Sequence, residues 1–97
     1  MRNTIHDKIA RRLATKFRTE YKSDKGIDIV TPTKVIEVET KRNSLGQGIK
    51  QIQNSSKPRY LAVNEQLKKA AVEATKGTGI GVMGPGGSIV KKAGRKG

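Results

Sequence analysis

Residues 26–40 read Gly26-Ile27-Asp28-Ile29-Val30-Thr31-Pro32-Thr33-Lys34-Val35-Ile36-Glu37-Val38-Glu39-Thr40, two β-branched runs joined by a proline-containing link. Ile27–Val30 and Val35–Thr40 have the composition of strands, and Pro32 belongs in the loop because it has no N–H to give a ladder. Pro32 also disfavours the usual two-residue hairpin turns, which points to a four-residue loop. Val30 then lies opposite Val35, and Asp28 opposite Glu37. Opposite residues of an antiparallel pair share a face with Cβ atoms about 4.5–5.5 Å apart, and the period of two adds Glu39 and Lys41 to it. Three of the eight carboxylates of the chain, Asp28, Glu37 and Glu39, therefore gather in one hairpin. Two carboxylates that close repel unless a cation separates them. Lys or Arg could provide it as an ordinary surface ion pair. The sharper alternative is a divalent ion held by Asp28, Glu37 and a nearby backbone carbonyl, an oxygen-only set suited to Mg²⁺ or Mn²⁺.

Outward from the hairpin, residues 4–18 predict an amphipathic helix with Thr4 or Asn3 as N-cap. Ile5, Ile9, Ala10, Leu13, Ala14 and Phe17 lie on one face, and Lys8, Arg11, Arg12 and Thr15 opposite. Tyr21–Gly26 reads as a polar turn. Ser44 is placed to cap a second helix with Leu45, Ile49 and Ile52 inward, although Gly46 and Gly48 weaken it. Arg59–Val63 reads as a strand after Pro58. Asn64 then caps a helix over Glu65–Lys76 with Leu67, Ala70, Ala71 and Ala74 inward and Gly77 as its stop. Thr78–Met83 and Ser88–Lys92 flank Gly84-Pro85-Gly86-Gly87 as a final hairpin. The order is α-β-β-α-β-α-β-β, an α/β domain with a mixed central sheet flanked by helices. Residues 1–92 make a single domain and 93–97 a basic flexible tail.

Composition bounds the partners. The 97 residues carry 21 Lys plus Arg against 8 Asp plus Glu, a formal charge of +13. Such an excess favours a polyanion, because contacts to phosphates release condensed counterions. An acidic membrane surface or ribosomal RNA would explain the charge as well. Phe17, Tyr21 and Tyr60 are the only aromatics. Single-strand binders stack bases on aromatic side chains, so duplex or branched nucleic acid gripped by its backbone is the better match. The absence of cysteine excludes disulfides and suits a reducing, cytoplasmic setting. No apolar run is long enough for a membrane span or signal peptide.

The motif in Gly26–Val30 and Val35–Glu39 resembles the core of the PD-(D/E)xK nucleases, and the element order resembles small archaeal Holliday-junction resolvases. The resemblance implies a restriction-endonuclease-like fold, with Asp28 and Glu37 as metal ligands and Val38 contributing its carbonyl. Glu39 stands where the family has lysine, as in nucleases with a Glu-x-Glu version. Lys41, or Lys50 from the second helix, could substitute. Family members often carry an acid in the first turn of helix one, and that spacing selects His6 here, with Asp7 one position off. A cap or core-edge histidine and a dipole-complementing acid are the plain alternatives. Gln47, Lys50 and Gln51 share the flank that approaches the site in relatives, although a solvated polar face explains them equally.

Other signals carry less. Gly77-x-Gly79-x-Gly81 lacks the Gly-Lys-Ser/Thr ending of a phosphate loop, and Gly84–Gly87 suits a tight turn. Ser44, Ser55 and Ser56 have no histidine near in sequence, and one histidine without cysteine argues against zinc. The expectation is a metal-dependent endodeoxyribonuclease using Mg²⁺, with Mn²⁺ able to replace it. Asp28, Glu37, Glu39, Lys41 and His6 would form its site, and Lys8, Arg11, Arg12, Arg42, Lys50 and Gln51 would hold DNA. A homodimer is expected, since so small a chain covers only part of a junction. The alternative is a basic DNA- or RNA-binding module that retains the fold without hydrolysis.

Overall fold

The computed structural model describes residues 4–21 and 27–94. Arg2, Asn3, the polar run from 22 to Gly26 and the tail residues 95–97 lie outside the described residues. Helix α1 spans Ile5–Lys16, capped by Thr4, whose hydroxyl accepts the Asp7 amide at 3.1 Å. Its buried stripe is Ile9, Ala10, Leu13 and Ala14. Ile5, expected inward, is 60% exposed because the first turn projects past the packed stripe. The helix closes with Arg18 at φ 54, where Arg18 N–H reaches Thr15 and Thr19 N–H reaches Ala14. That is a Schellman ending with arginine in the place glycine usually takes.

Strands β1 (Ile29–Val30), β2 (Val35–Glu39), β3 (Arg59–Val63), β4 (Gly81–Met83) and β5 (Ile89–Lys91) form one mixed sheet in sequential order. β2, β3 and β4 run parallel, and β1 and β5 are antiparallel edges. Helices α2 (Leu45–Ile52) and α3 (Lys68–Ala74) are the two crossovers. Both crossovers step the same way across the sheet, so the right-handed rule puts both helices on one face and leaves the other to α1. The core divides accordingly. Ile36, Val38, Tyr60, Ala62 and Met83 pack with Ile9, Ala10 and Leu13, whereas Val35, Leu61, Val63 and Val82 pack with Leu45, Ile52, Leu67 and Ala71. Every residue of β3 is buried, as a central parallel strand covered on both faces requires.

Several local expectations are corrected. A 3₁₀ turn, Arg42–Ser44, precedes α2, and the Ser44 hydroxyl donates to the Lys41 carbonyl at 2.9 Å instead of capping the helix. A second 3₁₀ turn, Glu65–Leu67, shortens α3, and the Asn64 amide bonds Gln66 rather than an N-terminal amide. Ala74 is exposed. Its inward place falls to Thr75, which is fully buried with its hydroxyl on the Ala71 carbonyl. The last hairpin is shorter than expected because Thr78 turns back on Thr75 before β4 begins. The third helix ends at Ala74 with Thr75 as its C-cap, short of the expected Lys76, and Gly77, at φ 76, lies in the turn that follows.

Part of the cationic excess serves the fold. Arg59 is only 3% exposed and donates to the carbonyls of Gln53 and Thr78 at 3.0 and 2.9 Å. Lys91 donates to the Thr75 carbonyl and Lys57 to that of Thr31. Gln53 and Thr75 end α2 and α3, where carbonyls lack partners and the helix dipole favours positive charge. Among the described residues no helix is long and apolar enough to cross a membrane.

Candidate active site

The hairpin turns through Thr31–Lys34, with Thr31 N–H on the Lys34 carbonyl at 2.9 Å. Ile29 pairs with Ile36 and Val30 with Val35. Continuing that register sets Asp28 against Glu37, although the ladder ends at Ile29 and side chains take over. The Asp28 amide donates to Glu37 Oε1 at 3.1 Å, and the Val38 amide donates to Asp28 Oδ2 at 3.0 Å. Val35 gives its N–H to Pro58, toward β3. By strand alternation Val38 faces the opposite edge, so its carbonyl looks the same way as its Asp28-bound amide. Two carboxylates and one carbonyl thus converge at the open end of the β1–β2 ladder.

Helix α1 brings His6 to the same place, its Nε2 3.2 Å from Asp28 Oδ2. Tyr21, joined to Ile29 by an isolated bridge, donates its hydroxyl to Asp7 Oδ1 at 2.8 Å and lies 3.1 Å from His6 Nδ1. The protons can be counted. With the tyrosine proton on Asp7, Nδ1 must donate to the phenol oxygen, and Nε2 faces a carboxylate that also needs a proton. An imidazolium satisfies both contacts. His6 is correspondingly raised above its ordinary pKa, chiefly through the Asp28 hydrogen bond and against the desolvation that opposes it. Asp7 is held below its usual range by the Tyr21 hydroxyl.

Burial pushes Glu37 up to about 8, with the nearby Asp28 charge adding to it. Glu39 is raised by burial too, while the Ser44 hydroxyl and His6 oppose the shift. Its surroundings depend on α2. A Cβ on Gly48 would come within 2.6 Å of Glu39 Cγ and 3.0 Å of Leu61 Cδ1, so only glycine lets the helix lie over this acid. The glycine that weakens α2 as a helix is thus the one that lets it pack.

Among the described residues the cationic partner at the hairpin is His6 rather than Lys or Arg. The salt bridges of the described residues join His6 to Asp7 and Asp28, Lys68 to Glu65, and Lys76 to Glu73. Among the described residues no Lys or Arg forms a salt bridge with Asp28, Glu37 or Glu39. Lys41 is exposed and lies past the end of β2, and Lys50 is exposed on α2, so neither is brought to the acids. Lys8, Arg11 and Arg12 on α1 and Arg42, Lys50 and Gln51 at and on α2 are all exposed, on opposite faces of the sheet.

Among the described residues no group of three or more His, Cys, Asp or Glu side chains is disposed to hold a metal ion. The available donors are fewer but of the right kind. Asp28 Oδ1 and Glu37 Oε2 carry no hydrogen bond among the described residues, and the Val38 carbonyl lies beside them. Mg²⁺ commonly takes one or two carboxylates and keeps several waters, so this donor set fits it. Two surface grooves, of about 590 and 570 Å³, lie along α3, lined by Arg42, Lys69 and Ala74 in one and by Gln66, Val72 and Val90 in the other. The acids stand on an edge, which suits a strand laid across it better than an enclosed small molecule. Tyr21 was not singled out by sequence reasoning for this site, because its part is set by tertiary contact. Comparison with protein-family models, curated proteins and solved structures finds no match for this chain.

Proposed function

We propose that this chain is a metal-dependent endodeoxyribonuclease that hydrolyses phosphodiester bonds in duplex or branched DNA, as its resemblance to PD-(D/E)xK nucleases implies. One observation carries the reading: in a chain of charge +13, three half-buried or buried acids share an edge, and among the described residues only His6, and no Lys or Arg, pairs with them. Burial, with the Asp28 charge adding to it, raises Glu37 to about 8, and a divalent cation at the acids would favour its ionised form. Asp28, Glu37 and the Val38 carbonyl would hold Mg²⁺, or Mn²⁺ in its place. Such an ion supplies Lewis-acid stabilisation of a phosphate and a lowered pKa for water.

The chain's own groups divide the remaining work. His6 donates to Asp28 and orients that carboxylate, and Tyr21 and Asp7 hold the ring. Glu39 stands where the resembled family has lysine, and burial, by raising its pKa, makes it a stronger acceptor for the proton of an attacking water. Lys8, Arg11, Arg12, Arg42 and Lys50 contact flanking phosphates, and Gln51 adds a polar contact on the α2 side. A homodimer would present two such edges to a junction.

A second reading is favoured by the acid at the lysine position and by the lack of a three-side-chain metal cluster: a basic DNA- or RNA-binding module without hydrolysis. Cleavage of labelled linear duplex and four-way junction with Mg²⁺, with EDTA and with Asp28→Ala separates them. Metal-dependent cutting that Asp28→Ala abolishes supports the nuclease. Binding with no cutting in any arm refutes it.

A further inference from the structure

The cations of α1 extend beyond the acidic edge to the β4–β5 turn, Gly84-Pro85-Gly86-Gly87. Lys16 Nζ donates to the Gly86 carbonyl at 3.2 Å, and a Cβ built on Gly86 would lie 3.8 Å from the Arg12 guanidinium carbon. Gly87 sits at φ 90, and a Cβ there would come 2.9 Å from Lys16 Cδ and 3.2 Å from Leu13 Cδ2. No side chain fits at Gly87, so Lys16 lies over bare backbone there. The turn is closed by Gly87 N–H on the Gly84 carbonyl and Gly84 N–H on the Ser88 carbonyl. Gly86 N–H makes no hydrogen bond among the described residues, and neither Arg12 nor Lys16 pairs with a carboxylate among them. A tight turn alone explains Gly87. It does not explain two exposed cations from successive turns of α1 gathered at Gly86 with no acid paired to either among the described residues, an arrangement that leaves their charge available to an anion.

We propose that Arg12, Lys16 and the Gly84–Gly87 turn form a second phosphate-binding site, which grips the backbone of a DNA strand at a distance from the acidic cluster. The proposal rests on the nucleic-acid half of the proposed function and not on hydrolysis. At ~1.5 Å rise per residue, Arg12 and Lys16 lie about 9 and 15 Å along α1 from His6.

Fluorescence anisotropy of a labelled linear duplex, in EDTA over a salt series, tests this with the full chain. The R12Q/K16Q variant is compared with K76Q/K92Q, which removes equal charge at the other end of the β4–β5 hairpin. Each phosphate contact contributes about 0.9 to the slope of log affinity against log salt, so R12Q/K16Q flattens it by about 1.8 and weakens binding at least tenfold at low salt. K76Q/K92Q changes the slope by less than half as much, and R12K/K16R, keeping both charges, retains it. Equal effects of the two Gln variants overturn the proposal, since the charge would then act without position. So does an absence of duplex binding by the unmodified chain. If Mg²⁺ produces no cutting yet the R12Q/K16Q effect stands, the hydrolytic reading falls and this site remains.

Discussion

Glu37→Gln is the perturbation whose size follows most directly from the geometry. The carboxyl has an ordinary pKa of 4.5 and is pushed to about 8 in the fold by burial and by Asp28. Between those values the folded chain holds a proton that the unfolded chain has released. Stability therefore falls as pH rises from about 4.5 to about 8, with a slope approaching ~1.4 kcal/mol per pH unit. The accumulated penalty at pH 8 is on the order of 4 kcal/mol, taking Glu37 at its full shift. Glutamine keeps an oxygen for the Asp28 amide, now 3.1 Å from Oε1, and cannot ionise. Urea denaturation in EDTA should find the two proteins within about 1 kcal/mol of each other at pH 5 and the variant clearly more stable at pH 8. Mn²⁺ at a hundredfold over its dissociation constant should return about 2.7 kcal/mol to the wild type at pH 8 and little to the variant. Parallel stability profiles from pH 5 to 8 would refute the claim that Glu37 is an uncompensated buried acid.

Asp28→Asn should abolish Mg²⁺-dependent cleavage while leaving duplex affinity in EDTA within about twofold, read by gel assay and anisotropy. The same substitution should bring His6 down toward 6.5, because the Asp28 hydrogen bond is the main cause of its elevation; NMR titration of the single imidazole reports it, and an unmoved value refutes the contact. Gly48→Ala should cost about 1–3 kcal/mol in chemical denaturation by driving a methyl into Glu39 and Leu61. Gly46→Ala, with open space at its Cβ, should stabilise by about 0.5–1 kcal/mol, so a loss at both positions would count against the packing argument.

Much of the scaffold was readable from local pattern. Arg59–Val63 was delimited by Pro58 and an apolar run, and the strand found has those bounds. The Ile29–Ile36 register followed from Pro32 and loop length, since a four-residue turn leaves one way to align the flanking residues. His6 was selected by the first-turn spacing that the family resemblance implies, and it does reach Asp28. The misses have physical causes. Ser44 and Asn64 are cap residues by type, but 3₁₀ turns took over the starts of both helices. Lys41 shared the period of the strand on paper, and the strand ended at Glu39 before that period could apply.

Alternation, spacing and charge count are local or summed properties, and they were enough to specify a mixed sheet, an acidic hairpin and a strongly cationic chain. Whether Lys or Arg neutralised those acids, which glycine admitted a helix over Glu39, which tyrosine held His6 and which cations were absorbed by helix carbonyls were decided only by folding. Each of these depends on distances between residues far apart along the chain, and such distances exist only once the sheet and its two helical layers have packed.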